Sequence, residues 1–265
     1  MNDDIADYAE GLLAPLVATE PARHMYSVID DGPSFQRRFA LYCDGQFVVR
    51  TADEPEVVAF LLWHLNHATV TASDRYLIVH AAVAAHHGSA ILLPAAMDSG
   101  KSTLVAGLVQ RGCAYLTDEA AAIDPATRQI APYPKPISID PGSWTVLADL
   151  RPDLEARFQP FVHDQWHVVP DSIRPGATGE PCAARLVVSP RFEAGARTTL
   201  EPMSRAQTVL TLAEHAFNFA SHAAEGLHTL AEVVRGCECY RLTIGSHEAA
   251  CDEVMNLASR LGVGV

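Results

Sequence analysis

The sequence has no run of about 18 apolar residues, the length a bilayer-spanning helix needs, and its first ten residues, MNDDIADYAE, carry neither the basic nor the apolar region of a secretory signal. Both absences lead us to expect a cytoplasmic protein with no membrane partner. Basic residues are scarce, 19 Lys and Arg against 32 Asp and Glu, for a net charge of -13. That balance opposes the counterion release behind most nucleic-acid binding, so no nucleic-acid partner is expected. There is no block of like charges and no Gly/Ser-rich or Pro-dense linker, which leaves a chain that is compact throughout. Cysteine is sparse, six residues at 43, 113, 182, 237, 239 and 251 in 265. In a chain long enough to build its own core, that usage reads as reduced thiols. The alternation in CECYRLTI puts Cys237 and Cys239 on one face of a strand, where buried structural thiols are expected rather than zinc ligands.

What is present divides at about residue 75. Residues 1–74 read as a small α+β region: a helical start, two short strands in RRFALYCDGQFVVRTAD around Asp44-Gly45, and a helix over PEVVAFLLWHLNHATV. His64 and His67 on that helix read as packing or surface residues. Residues 75–265 begin with strand RYLIVHAAVAA, a turn at His86-His87-Gly88, strand SAILLP, a helix over 101–111 and strand CAYL. A hairpin around Asp124-Pro125 follows. Further elements are a strand at 184–189, helices at 204–220 and 223–235, a strand at 239–244 and a helix at 247–261. Residues 141–180 show no clear period; they are where an acceptor surface is expected, and His163 and His167 there are not read as a metal site.

The chemistry concentrates in LLPAAMDSGKSTL, residues 92–104. A phosphate cradle needs a strand that stops, converging backbone N–H groups at a helix N-terminus, a lysine and a hydroxyl for magnesium. Ala95, Ala96, Met97, Asp98, Ser99 and Gly100 form such a loop, Lys101 has the phosphate-reaching position, Ser102 the metal position, and Thr103 follows. Ala95 replaces the usual first glycine, at a cost only if its φ must be positive. Asp98 stands where another glycine is common. A strand–helix–strand unit over 89–116 returns the chain to the edge it left, which brings Asp118 and Glu119 beside the loop. Two carboxylates there can divide the tasks of sitting near magnesium and accepting a hydroxyl proton. If strands 78–85 and 89–94 pair as a hairpin, His80 lies roughly opposite Pro94 and also beside the loop. Lys135, in a proline-rich stretch, reads as an exposed lysine, with contact to nucleotide or acceptor as the other reading.

The stretch VHAAVAAHHGSAILLPAAMDSGKSTLVAGLVQRGCAYLTDE resembles the core of HPr kinase/phosphorylase and its kinase relatives, which share a phosphate loop with phosphoenolpyruvate carboxykinases. His80, Lys101, Asp118 and Glu119 keep that family's separations, and LVQRG at 108–112 also matches. The resemblance implies an α/β P-loop kinase core with a mixed sheet, bound ATP and Mg2+, and transfer of the γ-phosphoryl group to a hydroxyl, often a serine of a peptide or protein. By position, Asp118 would be the general base, His80 its orienting partner and Lys101 the phosphate clamp, with Ser102, Glu119 and Asp118 around magnesium. Glu119 replaces the family's second aspartate. No clear Arg-Gly-Arg-Asn element follows, Arg191 and Arg197 being loose candidates, so phosphorolysis is not carried over. The short chain is closer to relatives that phosphorylate a precursor peptide; homo-oligomers are compatible with it. Alternatives are a small-molecule hydroxyl kinase and a nucleotide-binding regulatory module without chemistry. A translational-type GTPase, suggested by DSGKST alone, lacks the Asp-x-x-Gly and Asn-Lys-x-Asp elements.

Overall fold

The computed structural model describes residues 3–17, 22–30, 32 and 38–262. Arg37, the first residue of the stretch read as two strands, lies outside the described residues. Helix α1 (Asp3–Leu13) precedes a meander of β1 (Tyr26–Asp30), β2 (Phe39–Cys43) and β3 (Gln46–Thr51), and α2 (Glu54–Thr71) closes this region. Asp44 and Gly45, both at positive φ (52° and 77°), make the two-residue turn between β2 and β3, the geometry whose twist suits a tight hairpin. Ile5, Tyr8 and Leu12 of α1, Phe39 and Leu41 of β2, and Val57, Val58 and Leu61 of α2 pack as one core. Phe161, far along the chain, completes it by stacking on Tyr8 at 4.6 Å between ring centroids.

The rest is an α/β structure on a mixed eight-stranded sheet. Its strands are β4 (Leu77–His86), β5 (Ser89–Pro94), β6 (Ala114–Thr117), β7 (Ala120–Ile123), β8 (Gln129–Ala131), β11 (Cys182–Phe192), β12 (Thr199–Pro202) and β13 (Glu238–Ile244). They run in the order β12-β13-β11-β5-β4-β7-β8, with β6 beside β4. A second contact between β8 and β11 closes the ring β11-β5-β4-β7-β8. Outside it, β9 (Ile137–Ile139) pairs with β10 (Trp166–Val168). Strand alternation divides two cores between the faces. Ala82, Ala84, Ile91 and Leu93 face α3 (Lys101–Gln110) and α7 (His247–Gly262). Val79, Ala81, Val83, Ala90 and Leu92 face α5 (Arg205–Glu214) and α6 (Phe219–Arg235). Continuous apolar runs in β4 and β5 follow from burial on both faces. Each fully buried Leu, Ile or Val there contributes roughly 1.5–3 kcal/mol of transfer free energy.

Three expectations are corrected. The hairpin β4–β5 turns on two residues, His87 and Gly88 at φ 47° and 73°, so Pro94 pairs with Ala81 and not His80. Because that hairpin occupies the near edge of β5, the helix crossover does not return to β5: β6 pairs antiparallel with the far side of β4. The helix expected over 204–220 stops at Glu214, although Ser204 and Gln207 start it with a capping box. Residues 215–218 leave it to meet the start of β4: His80 N–H donates to His215 O at 2.7 Å and Phe217 N–H to Ile78 O at 2.9 Å. The Asn218 side chain secures the junction, accepting from Ile78 N–H and donating to Ser73 and Tyr76 carbonyls. Residues 141–180 hold 3-10 turns (Pro141–Ser143, Ala148–Leu150, Ala156–Val162) and the short α4 (Pro170–Ile173) around core residues Leu147, Val162, Trp166 and Val168. Cys237 and Cys239 are both buried, under α6.

Helix α3 is held close to α7 at Gly107, where a Cβ would come within 2.5 Å of the His247 ring and 2.6 Å of Cys251 Sγ. Alanine is the better helix former by about 1 kcal/mol, but overpacking costs roughly 1–3 kcal/mol. Gly107→Ala is therefore expected to lower the unfolding free energy, with partial recovery in Gly107→Ala/Cys251→Ala, as read by denaturant midpoints.

Candidate functional site

The loop after β5 and the start of α3 build one wall of a cleft of about 600 Å³. Asp98, Gly100, Lys101, Ser102 and Thr103 line it on that side, Ser138, Gly142, Ser143 and Val146 on another, and Phe192, Ile244 and His247 on a third. The volume and the mix of apolar walls with a few polar groups are those of a small-molecule site. Gly100, the residue before α3, sits at φ 89°, in contact range of Ile244 and Phe192. Ala95 is buried and has no positive φ; the left-handed non-glycine residue of the loop is Asp98, at φ 58°. The cost expected at a replaced glycine thus falls at position 98, where a short polar side chain tolerates it best. Ala95 carries none. Ala96 contributes its carbonyl, Met97 is a largely exposed tip, and Ser99 O accepts from Phe192 N–H at 3.1 Å, which fixes the loop against β11.

Lys101 is buried, and its ammonium donates to the Ala95 and Ala96 carbonyls at 2.9 and 2.6 Å, drawing the loop around itself. Burial lowers its pKa to about 8, against the pull of Glu119, Asp118 and Asp98. Thr103 and Ser143 hydroxyls meet at 2.6 Å and tie α3 to the opposite wall.

Asp118 lies in the break between β6 and β7, with only 3% of its surface exposed. One carboxylate oxygen receives the Lys135 ammonium at 2.7 Å and the Tyr115 hydroxyl at 2.9 Å. The other accepts from Ser102 Oγ at 3.3 Å and from Ser138 N–H at 3.3 Å. Glu119, beside it, is part-exposed and 3.5 Å from Lys135. Lys135 is thus not the exposed lysine expected: 12% of its side chain is exposed. Burial alone would lower its pKa, but Asp118 and Glu119 raise it. The Tyr115 phenol is pushed well up by burial and by Asp118. No periodicity marked Lys135 or Tyr115; the proline-rich return from β8 to β9 carries Lys135 over the β6–β7 break. Arg191 and Arg197 are exposed and do not line the cleft.

The structure brings Lys101, Ser102, Asp118 and Glu119 together. His80 sits near them without a bond to Asp118: neither ring nitrogen has a partner, and the ring meets Phe217 edge-on at 5.3 Å. Burial, then Lys101, lowers its pKa to about 4.

Ser102 and Asp118 offer hydroxyl and carboxylate oxygens, a donor set that fits magnesium. The loop at the N-terminus of α3, with Lys101 in it, fits a phosphate chain. No family model matches the sequence, and no curated protein does either. Among solved structures the chain is similar to the HPr(Ser) kinase/phosphatase from Coxiella burnetii, at 12% identity over 69% of this chain and 93% of that one, with a TM-score of 0.35.

Two outcomes follow from the buried charges. Lys135→Met leaves Asp118 without its cation and is expected to cost about 3–5 kcal/mol, most of it recovered in Lys135→Met/Asp118→Asn; chemical denaturation of the three variants checks this. His80 is neutral when folded and protonates near pH 6.5 when unfolded, so the unfolded state binds the extra proton first. Its contribution is present above pH 6.5 and lost as pH falls toward 4. The acid side of the stability–pH curve should therefore be shallower in His80→Leu.

Proposed function

We propose that this chain is an ATP- and magnesium-dependent kinase that transfers the γ-phosphoryl group to a hydroxyl, with a serine of a peptide or small protein as the favoured acceptor. One observation carries the reading: a buried carboxylate, Asp118, bonded to the first-turn hydroxyl of a lysine-bearing helix at the head of a cleft. In this reading the fold is a P-loop kinase core of the HPr kinase type over 75–265, with 1–74 as a small α+β subdomain.

The loop 95–100 and the N-terminus of α3 hold the phosphates. The Lys101 ammonium leaves its loop carbonyls, donates to a phosphoryl oxygen and stabilises the charge developing there. Ser102, Asp118 and Glu119 hold magnesium, which when bound neutralises phosphate charge. Asp118 accepts the proton of the acceptor hydroxyl, and Lys135 orients it. His80, neutral and with free ring nitrogens, positions the acceptor side. Val146, Phe192 and Ile244 give the cleft apolar walls.

A second reading, a regulatory module that binds nucleotide without chemistry, is favoured by the 2.7 Å ion pair of Asp118 with Lys135. A carboxylate so neutralised is a weaker base.

Calorimetry and transfer of labelled phosphate to serine-containing peptides separate the two. Under the kinase reading, Lys101→Ala weakens binding of ATP with magnesium, while Asp118→Asn retains measurable binding and lowers transfer by about 10²–10⁴. Transfer by Asp118→Asn at the wild-type rate would remove Asp118 as the base. Wild-type binding with no transfer to any hydroxyl would leave the regulatory module.

A further inference from the structure

Away from the cleft, three side chains that the kinase reading does not use converge at the hairpin turn between β2 and β3. They are His24, Cys43 and Asp44, and one ligand atom from each lies within 4.8 Å of the others. We infer that these three residues form a site for a zinc-type divalent cation.

The backbone prepares the arrangement. His24 lies just before β1 and Cys43 ends β2, and the two segments are joined by a reciprocal pair of bonds: Asp44 N–H donates to Met25 O at 2.8 Å, and Met25 N–H to Asp44 Oδ1 at 2.8 Å. The antiparallel register places Tyr26 opposite Cys43. Asp44 occupies the first position of a two-residue turn at φ 52°, where aspartate is tolerated, and the turn directs its carboxylate back to His24. His24 Nδ1 and Asp44 Oδ2 are 2.7 Å apart, and Cys43 Sγ is 3.9 Å from the same oxygen.

The donors select the ion. A thiolate, an imidazole and a carboxylate together suit zinc, whereas magnesium and calcium take oxygen ligands. With metal–ligand bonds of about 2.0–2.3 Å, a tetrahedral site needs its donors roughly 3.3–3.8 Å apart, so His24 Nδ1 and Asp44 Oδ2, 2.7 Å apart, open by roughly 0.6 Å and the widest pair, within 4.8 Å, closes by about 1–1.5 Å. Binding releases the Cys43 thiol proton to solvent. His24 and Asp44 are exposed and Cys43 is partly so, which leaves the fourth position to water or to a ligand from outside. Occupied, the site would pin the chain entering β1 to the β2–β3 turn, at the rim of a second cleft of about 750 Å³ lined by His24, Tyr26, Arg75, Tyr76 and Tyr133.

The test uses the whole reduced protein with ZnCl2 or CoCl2 and no nucleotide. One equivalent of cobalt should give tetrahedral d–d bands and a thiolate charge-transfer band that Cys43→Ser abolishes. His24→Gln and Asp44→Asn should each weaken zinc binding at least about tenfold, with circular dichroism showing that the fold is kept; asparagine suits the same turn conformation. Zinc should raise the melting temperature of the wild type and of Asp118→Asn, and not that of Cys43→Ser. Absence of a thiolate band in the wild type, or a band that survives in Cys43→Ser, overturns the site. So does zinc binding that His24→Gln and Asp44→Asn leave unchanged.

Discussion

The arrangement of the cleft depends on keeping one carboxylate, that of Asp118, charged in a place nearly closed to water. An uncompensated buried ion costs several kcal/mol, and four groups from three parts of the chain offset that cost here: Lys135 and the Ser138 amide, Tyr115, and Ser102. The break between β6 and β7 exists at this residue. Thr117 stabilises it, its hydroxyl accepting from Glu119 N–H and Ala120 N–H while the two strands on either side stay paired with β4. Taking Asp118 out of that break would disconnect the return from β8 to β9, the first turn of α3 and the floor of the cleft from one another.

Lys101 shows the same logic in the opposite sign. Its ammonium is buried beside the loop and satisfied by two of that loop's carbonyls. The loop is therefore shaped by the cation it will present. Two lysines thus face the same region in different ways: Lys135 is locked onto carboxylates and Lys101 is held by neutral dipoles. Burial accordingly lowers the pKa of Lys101, whereas the carboxylates raise that of Lys135.

A second feature of the fold is its distribution of surface. The large sheet is buried on both faces, by α3 and α7 on one side and α5 and α6 on the other, so binding is confined to strand ends and to the seams with neighbouring segments. One seam is the cleft at the head of α3. Another is the space edged by β1 and the residues before β4, with His24, Cys43 and Asp44 at its margin.

Local pattern determined a good deal by itself. The apolar runs of β4 and β5, the helix after Gly100, the hairpin turn at Asp44-Gly45, the presence of a turn about His86-His87-Gly88, and the burial of Cys237 and Cys239 all follow from periodicity and turn chemistry within a few residues. The proximity of Asp118 to Ser102 followed from a helix rising and a strand returning over equal lengths, even though the strand returned beside β4 and not β5. What only the tertiary structure decided involves partners distant in sequence. Lys135 looked like a surface lysine because nothing in its neighbourhood shows the carboxylate it meets. Residues 215–218 looked helical because the carbonyls and amides that draw them out belong to β4. His80 looked like a partner of Asp118 until the two-residue turn shifted it by one position and set its ring against Phe217. Short-range steric preferences are written in adjacent residues, whereas the pairing of a buried charge depends on which segments the whole fold brings within about 3 Å of it.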